Sequence, residues 1–167
     1  MIRAIETHYA GCRFRSRLEA RWAVYFDVLK IKWVYEPEGY VLPNGEWYLP
    51  DFWLPQVKMF AEVKPCKFTP AEELRSASLP SPCLMLDGMP DKRSYWTAWV
   101  PKNNPPAEGD FREDCLINSD YLDENRFYVL TGADFDDPDS WYEVWMPDTS
   151  AEQAIVAARS ARFDGKD

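Results

Sequence analysis

The segment of residues 48–64 constrains the fold of this chain more than any other part of the sequence. Strand-forming residues on both sides of a proline predict two strands, residues 46–53 and 57–64, joined by a tight turn. Asp51 lies on the first strand, and Glu62 and Lys64 lie near the end of the second. The segment therefore predicts a hairpin that carries charged groups on both strands.

The alternation of side chains along these strands decides which charged groups meet. Successive residues of a strand point to opposite faces of a sheet, so Glu62 and Lys64 lie on one face. If residues 55–56 form a two-residue turn, Asp51 pairs with Phe60 and joins that face. A one-residue change of register would turn Asp51 to the opposite face.

Two carboxylates on one sheet face repel each other unless a cation lies between them. Mg²⁺, or Mn²⁺ in its place, binds one or two carboxylates together with water and phosphate oxygens, so Asp51 and Glu62 form a suitable pair. A metal ion there can activate water for attack on a phosphodiester, and Lys64 can orient or deprotonate that water or neutralise the transition state. The plainer alternative for Lys64 is a solvated strand-end lysine paired with Glu62.

A helix precedes the hairpin. Ser16 and Glu19 have the spacing of a capping box, and apolar residues recur at helical spacing to about Lys30. Glu19 lies one turn before Trp22, beside the buried stripe, so it can add a metal ligand directly or through water. Its alternative role is that of a capping partner for Ser16, and the two roles are compatible.

The order of the remaining elements predicts the fold class. Residues 31–36 and 82–87 are predicted strands, and Thr69 caps a helix between them that has Pro70 in its first turn. Further strands are predicted at residues 94–100, 126–130 and 141–146, and a C-terminal helix at residues 149–163. This order predicts one α/β or α+β domain over residues 1–167, with a mixed central sheet flanked by helices.

Charge is distributed unevenly along the chain. Residues 1–70 hold ten Lys and Arg against eight Asp and Glu, whereas residues 71–167 hold nine against twenty, and the net charge is -9. Of those twenty acidic residues, fourteen fall in an irregular region at residues 89–148, where residues 134–139 fit a solvated turn better than a calcium-binding loop. This balance argues against non-specific binding of nucleic acid.

The cysteines, the single histidine and the hydropathy pattern argue against several kinds of site and against a membrane or secreted protein. The four cysteines contain no C-x-x-C pair and His8 is the single histidine, so a structural zinc site and histidine-based catalysis are not expected. The N-terminal residues lack a basic-then-apolar signal pattern, and no apolar run reaches the roughly 18 residues of a membrane span. We expect a cytoplasmic protein with reduced thiols and no membrane partner.

The combination of Pro50-Asp51 with Glu62-Val63-Lys64, behind a helix that bears Glu19, resembles the PD-(D/E)xK nuclease superfamily. The resemblance covers residues 16–88 and is strongest to small nucleases of bacteriophages and their actinobacterial hosts. It implies a restriction-endonuclease-like core over residues 14–88 and, for a phage protein, a place in the host cytoplasm. It also implies that Asp51, Glu62, the Val63 carbonyl and Glu19 bind metal, and that Asp51, Glu62, Lys64 and Glu19 form the catalytic set.

The expected substrate is a nucleic acid, with DNA favoured over RNA. A group of arginines at the start of the first helix is the candidate phosphate-facing patch, with a solvated helix start as the alternative: Arg13, Arg15, Arg17 and Arg21. Duplex cleavage would imply a homodimer or a protein partner. The alternative function is a catalytically silent nuclease-like fold that binds protein or nucleic acid, for example in phage–host interaction, which would suit the acidic second half of the chain.

Overall fold

The computed structural model describes residues 4–93, 95–98, 112–115, 130–132, 141–143 and 151–163. The helices of this part of the chain are α1 (Arg17–Val28), α2 (Pro70–Ala77) and α3 (Ala151–Ser160). Its strands are β1 (Thr7–Tyr9), β2 (Cys12–Phe14), β3 (Val34–Tyr35), β4 (Tyr40–Val41), β5 (Trp47–Tyr48), β6 (Phe52–Leu54), β7 (Met59–Lys64), β8 (Cys83–Asp87), β9 (Tyr95–Ala98), β10 (Arg112–Cys115), β11 (Leu130–Gly132) and β12 (Trp141–Glu143).

A six-stranded sheet forms the centre of the fold, in the order β10-β9-β8-β7-β6-β3. Its β7–β8 pair is parallel and its other described pairs are antiparallel, so the sheet is mixed, as the sequence predicts. Smaller two-stranded sheets pair β1 with β2, β4 with β5, and β11 with β12. The predicted α+β class with a mixed sheet is therefore confirmed.

Local capping signals fix the first two helices where the sequence predicts them. Ser16 precedes α1, and its hydroxyl accepts a hydrogen bond from the Glu19 N–H at 3.2 Å. Thr69 precedes α2 and forms a complete capping box with Glu72, while Pro70 occupies the first turn. These short-range contacts satisfy donors that every helix start leaves free, so sequence alone locates them.

The hairpin turn differs from the prediction. Leu54 pairs with Met59, so the turn spans residues 55–58 instead of residues 55–56, and Lys58 takes a left-handed backbone with φ +53°. The register moves by two residues relative to the expected one. Because side chains alternate with a period of two, an even shift leaves Asp51 on the face of Glu62, as predicted.

The predicted strand at residues 46–53 is two strands in different sheets. β5 pairs with β4, and β6 pairs with β7, with Leu49, Pro50 and Asp51 between them. Pro50 lacks an N–H for a ladder, which favours an interruption at this point. The β6–β7 ladder therefore ends at the Phe52–Ala61 pair, and β7 continues three residues beyond it.

Other predicted boundaries are shortened. The strand at residues 31–36 is reduced to β3, and Glu36 after it has φ +45°. The C-terminal helix ends at Ser160 instead of residue 163, and its predicted cap at Thr149 lies outside the described residues. β9 and β12 fall within the predicted strands, and β11 begins at the last residue of one. The turn at residues 134–139 lies outside the described part of the chain.

The main core lies between α1 and one face of the sheet. Large buried side chains of α1 pack there with residues of β6, β7 and β8, including Trp22, Tyr25, Phe26, Phe52, Leu84 and Leu86. The opposite face carries smaller clusters around Phe60 and Met85, with residues from the β4–β5 hairpin and from α2 and its C-terminal end. Helices thus cover both faces, as predicted.

Among the described residues, the longest helices fall short of the length and apolarity needed to cross a membrane.

Trp22 joins the core to the sheet, and its substitution tests that packing. The indole is fully buried and its Nε1 donates to the Gly88 carbonyl at 2.9 Å. We expect Trp22→Phe to lower the free energy of unfolding by roughly 1–3 kcal/mol, because the carbonyl loses its donor. Trp22→Ala should cost about 3–5 kcal/mol through the cavity it leaves. Urea unfolding measures both.

Val156→Ala is the control for this test, because Val156 is exposed on α3. It should change the free energy of unfolding by less than about 0.5 kcal/mol. Equal effects of Trp22→Phe and Val156→Ala would contradict the assigned role of the Trp22 indole.

Candidate active site

A cavity of about 350 Å³ opens where the β6–β7 ladder stops. Three carboxylates line it: Asp51 just before β6, Glu62 on β7, and Glu19 from the first turn of α1. All three side chains are buried, with residue exposures of 3–7%. The structure therefore brings the three predicted acidic residues to one cavity, although α1 packs on the other face of the sheet from Glu62.

The gap beyond β6 explains the position of the Asp51 side chain. Since the ladder ends at Phe52, the Val63 N–H has no strand partner there, and it donates to Asp51 Oδ2 at 2.8 Å. The Asp51 N–H in turn lies 3.4 Å from Glu62 Oε2. The carboxylate of Asp51 thus replaces a missing strand carbonyl, which satisfies a buried donor.

The same packing places Asp51 in an unfavourable electrostatic position. Burial raises the pKa of Asp51 well above its usual value of 3.8, and the neighbouring carboxylates of Glu62 and Glu19 raise it further. The Val63 N–H and the Arg15 guanidinium, whose Nη2 lies 2.6 Å from Asp51 Oδ1, act in the opposite direction. A buried group of like charges of this kind favours a bound cation.

Glu62 and Lys64 meet as the alternation along β7 predicts. Lys64 Nζ lies 3.1 Å from Glu62 Oε1 and 3.9 Å from Glu72 Oε1 at the start of α2. The Lys64 side chain is 29% exposed, whereas that of Glu62 is 6% exposed. The ammonium therefore lies at the mouth of the cavity, where it can contact both Glu62 and a molecule that enters from solvent.

Glu19 is held by several donors at once. Its Oε2 accepts from the Tyr35 hydroxyl at 2.6 Å and from the Arg15 N–H at 3.1 Å, and Ser16 Oγ lies 2.7 Å from its Oε1. Burial and the bond to Glu19 raise the pKa of Tyr35 above its ordinary value, so the hydroxyl stays a donor. Glu19 thus takes part in capping and also lines the cavity, which keeps both predicted roles open.

The donor set suits a hard divalent cation. Asp51 and Glu62 offer carboxylate oxygens on one face, which is the number of carboxylates that Mg²⁺ commonly uses beside water and phosphate. In the described part of the chain, no group of three or more His, Cys, Asp or Glu side chains has the arrangement needed to hold a metal ion, so the ligand set rests on the Asp51 and Glu62 pair. A direct bond from Glu19 to metal, and one from the Val63 carbonyl, stay predictions.

The four arginines of the predicted phosphate patch separate in the structure. Arg13 pairs with Glu6 on the surface, and Arg17 is exposed on α1. Arg21 donates to the carbonyls of Ala158 and Arg159 at the end of α3, at 2.6 and 2.5 Å. Arg15 is the member that reaches the cavity, through Asp51.

Several residues of the site were not identified from the sequence as parts of it. Tyr35 and Glu36 contact Glu19 and Arg15, and Arg75 of α2 lines the cavity beside Tyr48. Arg75 lies over the Tyr48 ring at 5.6 Å and pairs with Glu46 at 3.0 Å. For Tyr35, its position on a predicted strand was the signal in the sequence that could have placed it near the site. The contacts of Arg75 depend on long-range packing, which the sequence does not reveal.

Most aromatic side chains of residues 33–53 are packing groups, although Tyr35 also donates to Glu19 and Tyr48 also lines the cavity. Four of these aromatics are packed, at least in part, in the core clusters: Trp33, Tyr35, Tyr48 and Trp53. Trp47 is 65% exposed on the β4–β5 hairpin and lies against Gly39. Cys12, Cys66 and Cys83 are free thiols, as expected, while the side chain of Cys115 lies outside the described residues.

Comparison of the chain with protein-family models, curated proteins and solved structures gives no match.

The raised pKa of Asp51 predicts a pH-dependent penalty on folding. A carboxyl with a raised folded-state pKa contributes stability that is present below its unfolded value and is lost as the pH rises through the folded value. Asp51→Asn cannot ionise, so its stability relative to the wild type should increase with pH. Near neutral pH, we expect the free energy of unfolding of Asp51→Asn to exceed that of the wild type by at least about 1 kcal/mol, which is roughly the free energy that corresponds to one pKa unit.

Urea unfolding of both proteins with a chelator present, from about pH 4 to about pH 8, measures this difference. Glu38→Gln, which removes a carboxylate from an exposed loop position, is the control for loss of one negative charge. A stability difference that falls as the pH rises would show that the Arg15 pair outweighs the burial of Asp51.

Proposed function

We propose that this protein is a metal-dependent nuclease of the PD-(D/E)xK type, which hydrolyses phosphodiester bonds of DNA by attack of water. The observation that carries the proposal is the buried pair of Asp51 and Glu62 beside Lys64 in one solvent-accessible cavity. Burial of two like charges costs free energy, and a cation between them offsets that cost. A purely structural role would not require these groups to face an open cavity.

The residues of the cavity suit distinct parts of that reaction. Asp51 and Glu62 would hold Mg²⁺ or Mn²⁺, which when bound supplies Lewis-acid activation of water and of the phosphate. Lys64 Nζ, at the mouth of the cavity, can orient the attacking water through its donors and balance charge that develops on the phosphate. Glu19 would keep its place near the ion through the Tyr35 and Ser16 hydroxyls, which fix both of its oxygens.

The electrostatics of the chain limit how a substrate is bound. A net charge of -9 opposes a general attraction to DNA, so affinity would depend on cations near the cavity, such as Lys64 and Arg15. The exposed indole of Trp47, which precedes the cavity residue Tyr48, could stack on a base. A negative net charge with a few cations near the cavity favours binding of a particular DNA structure over non-specific binding along the DNA backbone.

A second candidate function is a catalytically silent nuclease-like fold that binds a protein or nucleic-acid partner, for example in phage–host interaction. The observation that favours it is the internal pairing of the acidic residues. Asp51 is paired with Arg15, Glu62 with Lys64, and Glu19 with hydroxyl and N–H donors. A site whose charges are already satisfied by the chain can be stable without a metal.

Cleavage assays test the enzymatic function. With Mg²⁺ or Mn²⁺, we expect cutting of plasmid, linear or branched DNA, and a loss of roughly a hundredfold or more in Asp51→Asn and in Lys64→Ala, since both remove groups at the reacting centre. Lys67→Ala, at an exposed lysine three residues further on, is the matched control and should retain activity. Activity that survives both site substitutions would overturn the site assignment.

Calorimetry with Mn²⁺ separates the two functions without a substrate. We expect a saturable isotherm for the wild type and its loss in Glu62→Gln, because the variant retains shape and removes one anionic ligand. Glu72→Gln is the control, because it removes a carboxylate near Lys64 that does not line the cavity. Its isotherm with Mn²⁺ should match that of the wild type. Absence of binding at millimolar Mn²⁺, together with absence of cleavage, would favour the binding module.

A further inference from the structure

Arg15 occupies a position that the proposed catalytic residues do not explain. Its Nη2 lies 2.6 Å from Asp51 Oδ1 and its Nε lies 2.8 Å from Glu36 Oε1. The guanidinium therefore bridges a buried carboxylate that lines the cavity and a partly exposed carboxylate that does not. Both contacts use the planar fork of the side chain, which makes the position well defined.

The backbone of Arg15 reinforces this position. Its N–H donates to Glu19 Oε2 at 3.1 Å and lies 3.0 Å from the Tyr35 hydroxyl. The residue immediately before the helix cap is thus tied to the same acidic group by its backbone and by its side chain. Movement of the side chain can therefore occur while the backbone stays in place.

Arg15 and a divalent cation would compete for the same negative charge. The guanidinium places a positive charge 2.6 Å from Asp51 Oδ1, beside a carboxylate whose residue is 3% exposed. A divalent ion bound by Asp51 and Glu62 supplies that neutralisation itself, and two cations beside one carboxylate repel each other. The pair is therefore expected to weaken when the ion binds.

We propose that Arg15 is an internal counter-ion of the acidic site, which holds Asp51 in the metal-free protein and moves to a substrate phosphate when a divalent cation binds. This inference rests on the proposed function. The Arg15 side chain is 58% exposed, so its outer edge already faces solvent and can reach a bound phosphodiester by a rotamer change. Glu36 would keep the released guanidinium at the rim of the cavity.

Two affinities with opposite expected changes test the assignment. In Arg15→Met, Mn²⁺ should bind roughly fivefold or more tightly than in the wild type by calorimetry, because the competing charge is gone. The same substitution should weaken binding of a duplex oligonucleotide in the presence of Mg²⁺, measured in a Lys64→Ala background, which keeps Asp51 and Glu62 and slows cleavage of the probe. A residue that only positioned Asp51 would weaken both affinities when removed.

Arg13→Met is the matched control, because it removes the same charge two residues away from an exposed pair with Glu6. It should leave the affinity for Mn²⁺ within about twofold of the wild type, given the weak coupling of exposed charges. Circular dichroism and the urea midpoint of each variant show that it is folded. Equal or weaker Mn²⁺ binding in Arg15→Met than in Arg13→Met would overturn the inference.

The outcomes also separate this inference from the proposed function. Metal binding and cleavage by the wild type, with no gain of Mn²⁺ affinity in Arg15→Met, would refute the counter-ion role alone. An isotherm that appears in Arg15→Met and is absent in the wild type would support the counter-ion role and contradict an active metal site in the native chain. Absence of binding in both proteins would overturn both proposals.

Discussion

The early end of the β6–β7 ladder is the constraint on which the candidate site depends. β7 continues past its antiparallel partner, so a buried N–H at Val63 and two inward carboxylates face a gap instead of a strand. The Asp51 side chain closes the ladder, and its charge then requires a cation from elsewhere. Arg15 supplies it from the start of α1, so one interrupted strand links the helix to the sheet.

The turn between β6 and β7 was predicted wrongly, yet Asp51 lies on the predicted face of the sheet, because the register changed by an even number of residues. The two-residue turn was predicted from a proline and a polar neighbour, whereas the four-residue turn depends on a left-handed Lys58, a conformation that lysine seldom takes. Sequence offers little signal for that choice. The position of Asp51 relative to Glu62 survives because the register changed by two residues, and a change of one would have separated them.

Local and long-range features differ in how far the sequence reveals them. Ser16 and Thr69 mark helix starts through contacts within three residues, and both helices begin where predicted. The partners of the acidic group are not local. Arg15 lies 36 residues from Asp51 in sequence, and Tyr35 lies 16 from Glu19, so only the assembled sheet and helix bring them together. The nuclease interpretation itself rests on the residue pattern and on the geometry of the acidic group.

The formal charges of the cavity suggest an order of binding. Its lining includes three cations, Arg15, Lys64 and Arg75, and three carboxylates, Glu19, Asp51 and Glu62. With every group ionised these charges cancel, so a phosphodiester gains little from the metal-free cavity, and the net charge of -9 opposes its approach. If the proposed divalent ion bound, it would make the cavity positive and would weaken the pairs that hold the basic side chains inward. For the proposed nuclease, the charges therefore favour binding of metal before DNA, because the ion would provide both the attraction and the free donors.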